Sequence, residues 1–372
     1  MTTHQTVHRL RATLLAAVLS LGAAFLAAAP AIAGQASPAI VVKEFVYSNA
    51  PYPQSHASTI VETKAGTIAA SWFGGTHERN PDVGIWFARR VNGKWQEAVE
   101  VANGVQPDGT RQPTWNPVLF QPPGGDLHLF YKVGPSPQAW WGMVITSTDD
   151  GRTWSKPRRL PDGVLGPIKN KPVVLPDGAW LSPVSVELRE GVTLADGGGW
   201  DLYFERSEDQ GRTWTKTPLV ASPLKIDAIQ SSILFHPGGV LEAVARTRQG
   251  ALAQTWSRDN GKTWSPLATI DLPNPNSGTD AVTLADGRQL LVYNHTGHLP
   301  ATPGKGLRYP LNVAISNDGI SWREVATLES EPRPDGYAYP AVIQSKTGLV
   351  HITYTFNRRG IRHVVLDPSK LP

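Results

Sequence analysis

The chain has 372 residues, a formal net charge of +4, 18% charged side chains and no cysteine. Without cysteine, disulfides and thiol chemistry are excluded. The basic excess is small and the arginine pairs at 89–90, 158–159 and 358–359 are isolated, so no nucleic-acid surface is expected.

Residues 1–12 are polar and carry Arg9 and Arg11, an apolar run follows from about Leu14 to Ala29, and Ala31-Ile32-Ala33 precedes Gly34. A basic head, an apolar middle and a small-residue exit form the pattern of a secretory signal peptide. The expectation is a cleaved segment 1–33, a single domain over 34–372, and a periplasmic or secreted protein. No later stretch is apolar enough to span a bilayer, so no membrane insertion is expected after cleavage.

Farther along, no sustained 3.6-residue period marks a helix. Alternating, β-branched or aromatic runs predict strands at 59–63, 67–73, 83–90, 127–133 and 142–148. Further runs fall at 201–207, 241–247, 289–295, 311–317, 341–345 and 350–356. Pro-Asp-Gly, Ala-Asp-Gly and Pro-Gly-Gly turns separate them.

An octapeptide recurs along this series. STDDGRTW begins at Ser147, SEDQGRTW at Ser207 and SRDNGKTW at Ser257, and a shorter copy, SNDGISW, begins at Ser316. The intervals of 60, 50 and 59 residues suit one radial β-blade per repeat and leave room for about six blades. ARRVNGKW, ending at Trp95, reads as a decayed first copy, and HITYTF and IRHVVLD near the C-terminus as strands of the last blade. Within the repeat, the aspartate can accept backbone amides in a tight turn, the glycine tolerates positive φ, and the tryptophan covers the turn. The acidic ladder and terminal glutamate of a calcium loop are missing. The repeat is therefore structural, and the predicted fold is an all-β six-bladed β-propeller. No histidine-rich metal pattern, phosphate loop or Gly-x-Ser-x-Gly motif occurs, so neither metal nor cofactor is expected.

Ser-x-Asp-x-Gly-x-Thr-Trp resembles the Asp-box, or bacterial neuraminidase repeat, of the sialidase superfamily, and the resemblance covers about residues 40–366. It implies a central site on the face opposite the boxes, with three arginines on the substrate carboxylate, a tyrosine nucleophile primed by a glutamate, and an aspartate acid/base. LRYPLNVAISNDG places Arg308 as the third arginine, and LEAVARTRQG places Arg246 as the second, with Arg248 two residues on along the same strand face. DGYAYPAVIQ offers Tyr339 as the nucleophile, with Tyr337 as alternate. Two positions depart from the pattern. His56 stands where the first arginine is expected, and Gln230 where the glutamate is expected. The Gly-Gly bend and following loop of WFGGTHERNPDVGIW supply Glu78 and Asp82 as candidate acid/base, beside His77. Loop residues Trp115 and Asn116, Lys169, Asn170 and Lys171, Asn276 and Asp280, and Asn294 and His295 are further candidate ligands, and Lys169 or Lys171 offers a replacement positive charge.

Two arginines still point to an acidic sugar. The leading expectation is a monomeric exo-glycosidase of sialidase type acting on a terminal acidic sugar of a glycan or glycoconjugate. Tyr339, Glu78 or Asp82, and His56 would carry the chemistry, with Arg246, Arg248, Arg308, Gln230, Asn116, Lys169 and Asp280 binding substrate. A lyase acting on uronic acids by His/Tyr β-elimination and a non-catalytic sugar-binding propeller are the alternatives.

Overall fold

The computed structural model describes residues 37–372 except 194, 196, 197 and 303, so the expected signal segment and its cleavage point lie outside the described residues. Six antiparallel sheets follow one another along the chain, each a blade of four strands with its first strand innermost. The blades span residues 54–102, 114–159, 173–216, 228–273, 280–329 and 337–366, and blade 1 carries one extra short strand, Val99–Ala102. The last blade takes its outermost strand, Ile40–Phe45, from the start of the described chain, pairing Ile40 with Leu366 and Phe45 with Arg362. This closure joins the two ends of the propeller and removes the open sheet edges that an unclosed ring would leave.

Apolar layers fill each blade–blade interface. Phe87 and Ile85 of blade 1 pack with Leu129 and Ile145 of blade 2. Phe204 and Leu181 of blade 3 meet Ile233 and Ala243 of blade 4, and Val292 and Val313 of blade 5 meet Val342 and Ile352 of blade 6. Trp72 and Ala70 of blade 1 pack with Ile361 of blade 6 across the closure.

Each intact octapeptide is the turn between the third and fourth strands of its blade, at Ser147, Ser207 and Ser257, and the short copy does the same at Ser316. In the first, Asp149 accepts from the Thr153 amide at 2.9 Å and from the Thr153 hydroxyl at 2.7 Å, while Ser147 Oγ accepts from the Gly151 amide at 2.8 Å. These bonds, with the serine hydroxyl, hold the Asp149 carboxyl well below the usual carboxylate range. The same amide and hydroxyl bonds hold Asp209 at about 2. The glycine and tryptophan face the preceding blade: Trp154 meets Phe87 edge-on at 5.2 Å, and Trp264 stacks on Phe204 at 4.0 Å. In the decayed copy Trp95 still bridges blades, donating to Glu44 at 3.2 Å and packing on His363 at 5.2 Å.

Because strands alternate in direction, the boxes mark one face. The starts of the innermost strands, and the turns between second and third strands, lie on the other.

Candidate functional site

Four innermost strands share one irregularity near their starts. Their pairing register shifts between His56 and Thr59, Trp115 and Val118, Ile229 and Ser232, and Ala338 and Ala341. Each bulge holds a non-glycine residue at positive φ: Ala57 at 54°, Asn116 at 37°, Gln230 at 58° and Tyr339 at 51°. Such backbone costs about 1–2 kcal/mol per residue, and bulges of this kind re-aim side chains. Together they gather His56, Asn116, Gln230 and Tyr339 at the starts of inner strands, on the face away from the boxes.

Tyr339 is the meeting point. Its hydroxyl accepts from Arg246 Nη1 at 2.9 Å, and the same nitrogen donates to Gln230 Oε1 at 3.1 Å. Arg246 lies one residue before the end of the second strand of blade 4 and is fixed from its other side by Asn276, whose Oδ1 accepts from Nε at 3.1 Å and from Nη2 at 2.9 Å. The Arg308 guanidinium carbon lies 5.9 Å from the Tyr339 ring centroid. His56 packs on Tyr339 with ring centroids 4.3 Å apart, and its Nδ1 bonds Thr355 Oγ1 at 2.9 Å. Burial, then the charges of Arg358, Arg308, Arg246 and Lys169, push the His56 imidazole well below the usual histidine range. It is neutral at neutral pH.

Glu78 sits in the turn between the second and third strands of blade 1 and pairs with Arg358 Nη1 at 2.8 Å. It lines one small pocket with His56, Phe73, His77 and Arg358. Thus His56, Glu78, Arg246, Arg308 and Tyr339 form one connected group.

Other expected ligands take different places. The Asp82 carboxylate is taken up by its own loop, accepting from the Thr76 amide at 3.0 Å and the Thr76 hydroxyl at 2.6 Å. Gly74 and Gly75 end a strand rather than form the expected bend, and their missing side chains admit the Tyr52 ring and Asp82 with Val83. Asp280 is fully enclosed, accepting from Ser232 at 2.8 Å, Asn170 at 3.0 Å, Lys171 at 2.9 Å and the Val342 amide at 2.8 Å. It ties blades 4 and 6 to the loop before blade 3. Lys169 is buried beside it, donating to the carbonyls of Thr279 and Pro340. Burial, with Lys171 and Arg246 and against the pull of Asp280, lowers Lys169 to about 7. Its bond to Pro340 anchors the backbone next to Tyr339. Arg248 lies just past its strand, not on it, where it stacks on Trp200 at 4.1 Å and pairs with Asp227 at 3.6 Å. Tyr337 is a core aromatic whose hydroxyl donates to the Glu331 carbonyl at 2.8 Å. Asn294 braces the Pro310 and Tyr337 carbonyls at 2.9 and 3.1 Å.

Three residues escape the sequence reading. Arg358 comes from the hairpin turn of blade 6, Trp200 lies 5.2 Å from the Arg246 guanidinium, and Glu187 follows the second strand of blade 3. Burial raises the Glu187 carboxyl, opposed by Arg246 and Arg248. Arg246, Arg308, Arg358 and Lys169 make the surroundings of Tyr339 and His56 electropositive.

A BNR repeat-like domain model matches residues 66–352. The chain belongs to the BNR repeat-like domain family. A curated relative described as a sialidase, from Bacteroides fragilis (strain YCH46), is 25% identical over 263 residues, 63% of this chain. The BNR repeat-like chain matches less than half of that relative's length, 44%. Among solved structures, a Dyadobacter fermentans protein of unknown function superposes with a TM-score of 0.71 at 20% identity, covering 88% of this chain and 99% of that one. The Hadza microbial sialidase Hz136 gives 0.70 at 17% identity over 86% and 67% of the two chains. The NanB sialidase of Streptococcus pneumoniae gives 0.67 at 13% identity over 88% and 71%. The fold is that of a sialidase-like six-bladed propeller.

Proposed function

We propose that this BNR repeat-like protein is a secreted, monomeric exo-glycosidase that removes a terminal acidic sugar from a glycan, with Tyr339 as nucleophile. The observation that carries the reading is the convergence of Arg246 and Arg308 on Tyr339. Guanidinium forks suit a sugar carboxylate. A neutral phenol approaches an anomeric carbon beside that carboxylate with less repulsion than a carboxylate would.

In the first step Tyr339 Oη bonds to the anomeric carbon and the glycosidic C–O bond breaks. Its electron pair leaves on the aglycone oxygen, which takes a proton from Glu78. The phenol proton passes to His56, because Gln230 cannot accept one and the imidazole beside the ring is neutral. In the second step water attacks the anomeric carbon, giving its proton to Glu78, and Tyr339 leaves and regains its proton from His56. Both the free sugar and the enzyme are then restored.

The test is a panel of aryl glycosides of sialic and uronic acids, assayed with wild type and Tyr339→Phe. Release of the aryl alcohol with a hydrated sugar is expected, falling about 1,000-fold or more in the variant while sugar binding remains. Gln230 in the place of a carboxylate favours one second reading, β-elimination by His56 and Tyr339 at a uronic acid. An unsaturated, ultraviolet-absorbing product from uronate polysaccharide would establish that reading and overturn hydrolysis. Binding without turnover across the panel would make the propeller a lectin-like one.

A further inference from the structure

We infer that Lys169 is a positioning residue for Tyr339: it fixes the bulge that carries the tyrosine and keeps a buried positive charge beside the ring. The inference rests on the glycosidase reading and adds a residue that acts through the nucleophile.

Lys169 belongs to the loop before blade 3. Its ammonium donates to the Thr279 carbonyl, just before blade 5, at 2.6 Å, and to the Pro340 carbonyl, in the first strand of blade 6. Blades 3 and 6 stand opposite each other in a ring of six, so the side chain reaches across the ring. It is buried there.

Both carbonyls belong to segments that touch Tyr339. Pro340 follows the tyrosine inside the bulge, where the pairing register shifts between Ala338 and Ala341. Proline has no amide to donate, so its carbonyl is the backbone group left to hold. Two residues on, the Val342 amide donates to Asp280 at 2.8 Å. On the other side, Thr279 follows Gly278, where a Cβ would lie 3.3 Å from the Tyr339 ring. Lys169 thus joins the residue after the tyrosine to the backbone packed against its ring. Tyr339 needs such support, because a non-glycine residue at a φ of 51° persists only where its surroundings enforce it.

The charge has a separate part. Lys169 Nζ lies 6.0 Å from the Tyr339 ring centroid. Its counter-ion is Asp280, which Lys171 already engages at 2.9 Å and to which Ser232, Asn170 and the Val342 amide also donate. Two ammoniums and one carboxylate leave a net positive charge beside the ring. In the proposed reaction the Tyr339 oxygen gains negative charge as it gives up its proton, and again as it leaves the sugar. A fixed cation favours both moments, and the amide of Gln230 brings no charge. Arg246 of blade 4 and His56 of blade 1 also face this cluster, and Lys169 is among the cations that keep His56 neutral. Burial, opposed by Asp280 and aided by Lys171 and Arg246, lowers Lys169 to about 7. Its charge is therefore present below about pH 7 and lost as pH rises through that value. A neutral amine keeps two N–H donors, so both carbonyl bonds can outlast the charge.

The test uses the full chain with Lys169→Met and Lys169→Arg. Measurements are melting temperature, kcat and KM on an acidic aryl glycoside, calorimetric binding of the free acid sugar, and an NMR titration of isotope-labelled lysine. The Lys169 signal is identified by its loss in Lys169→Met. In wild type that signal is expected to titrate near pH 7, and kcat to fall about fivefold between about pH 7 and 9. Lys169→Met is expected to lose about 100-fold in kcat with KM and sugar binding nearly unchanged, and to show no alkaline fall. Lys169→Arg, which stays charged, is expected to recover about tenfold of that loss and to hold its kcat as pH rises. Wild-type kcat in both variants, or the same alkaline fall in both, would overturn the inference and leave the glycosidase reading standing. A loss carried by KM instead of kcat would make Lys169 a substrate ligand and overturn the positioning role. A level wild-type kcat across the alkaline range, or a Lys169 signal that stays charged through it, would overturn the role of the charge without any variant having to fold. Absence of wild-type turnover on every acidic glycoside would overturn the glycosidase reading, and this inference with it.

Discussion

His56 shows how burial and charge can set a histidine's chemistry. Four cations act on it and Thr355 holds one ring nitrogen. Its depressed pKa means that it protonates only as pH falls well below the ordinary histidine value near 6.5. A base must be neutral, so kcat should stay level as pH falls from 7 through about 6.5 and decline only below that, as His56 titrates. His56→Gln should lower kcat about 100-fold or more at neutral pH, and a pH–rate profile of the two proteins checks both outcomes. At this scale the sequence was partly legible. Arg246, Arg308 and Tyr339 lie on or beside strands, at positions that the resemblance to the sialidase superfamily pointed to. The burial of Asp280 was not legible, because nothing local shows that four donors from other elements enclose it. Arg358 stayed hidden because nothing local places its hairpin turn, in the last blade, beside His56 and Glu78 of the first.

The octapeptide turns and the bulges are the working elements, and they differ in legibility. Each box is a local hydrogen-bond cycle of serine, aspartate, glycine and threonine, so its chemistry is written in eight consecutive residues. A bulge exists only against the pairing strand, and neither Ala57 nor Gln230 carries a local sign of its positive φ. The boxes also brace the ring. A Cβ on Gly151, at φ +78°, would lie 2.4 Å from the Phe87 ring of the neighbouring blade. Gly151→Ala should therefore cost about 2–4 kcal/mol through backbone strain and overpacking. The site lies on the other face, so activity per folded molecule should be unchanged. Denaturant unfolding with a parallel turnover assay separates the two effects.

For the whole molecule, the spacing of the boxes gave the blade count, because a blade must be long enough for four short strands and their turns. The ring closure was less accessible. Ile40–Phe45 pairs with a strand more than 300 residues away, and no local pattern encodes that partner. Closure is what makes the central site possible, since it brings blade 6, with Tyr339 and Arg358, against blade 1, with His56 and Glu78. The chemistry at that junction is tested most directly by trapping. An acidic glycoside with a good leaving group, and with fluorine beside the anomeric carbon to slow the second step, should leave its sugar on the protein. Peptide mass spectrometry should place that added mass on Tyr339 and find none on Tyr339→Phe. Turnover of the parent glycoside with no adduct on Tyr339, or an adduct on another side chain, would contradict a tyrosine nucleophile at the centre of this propeller.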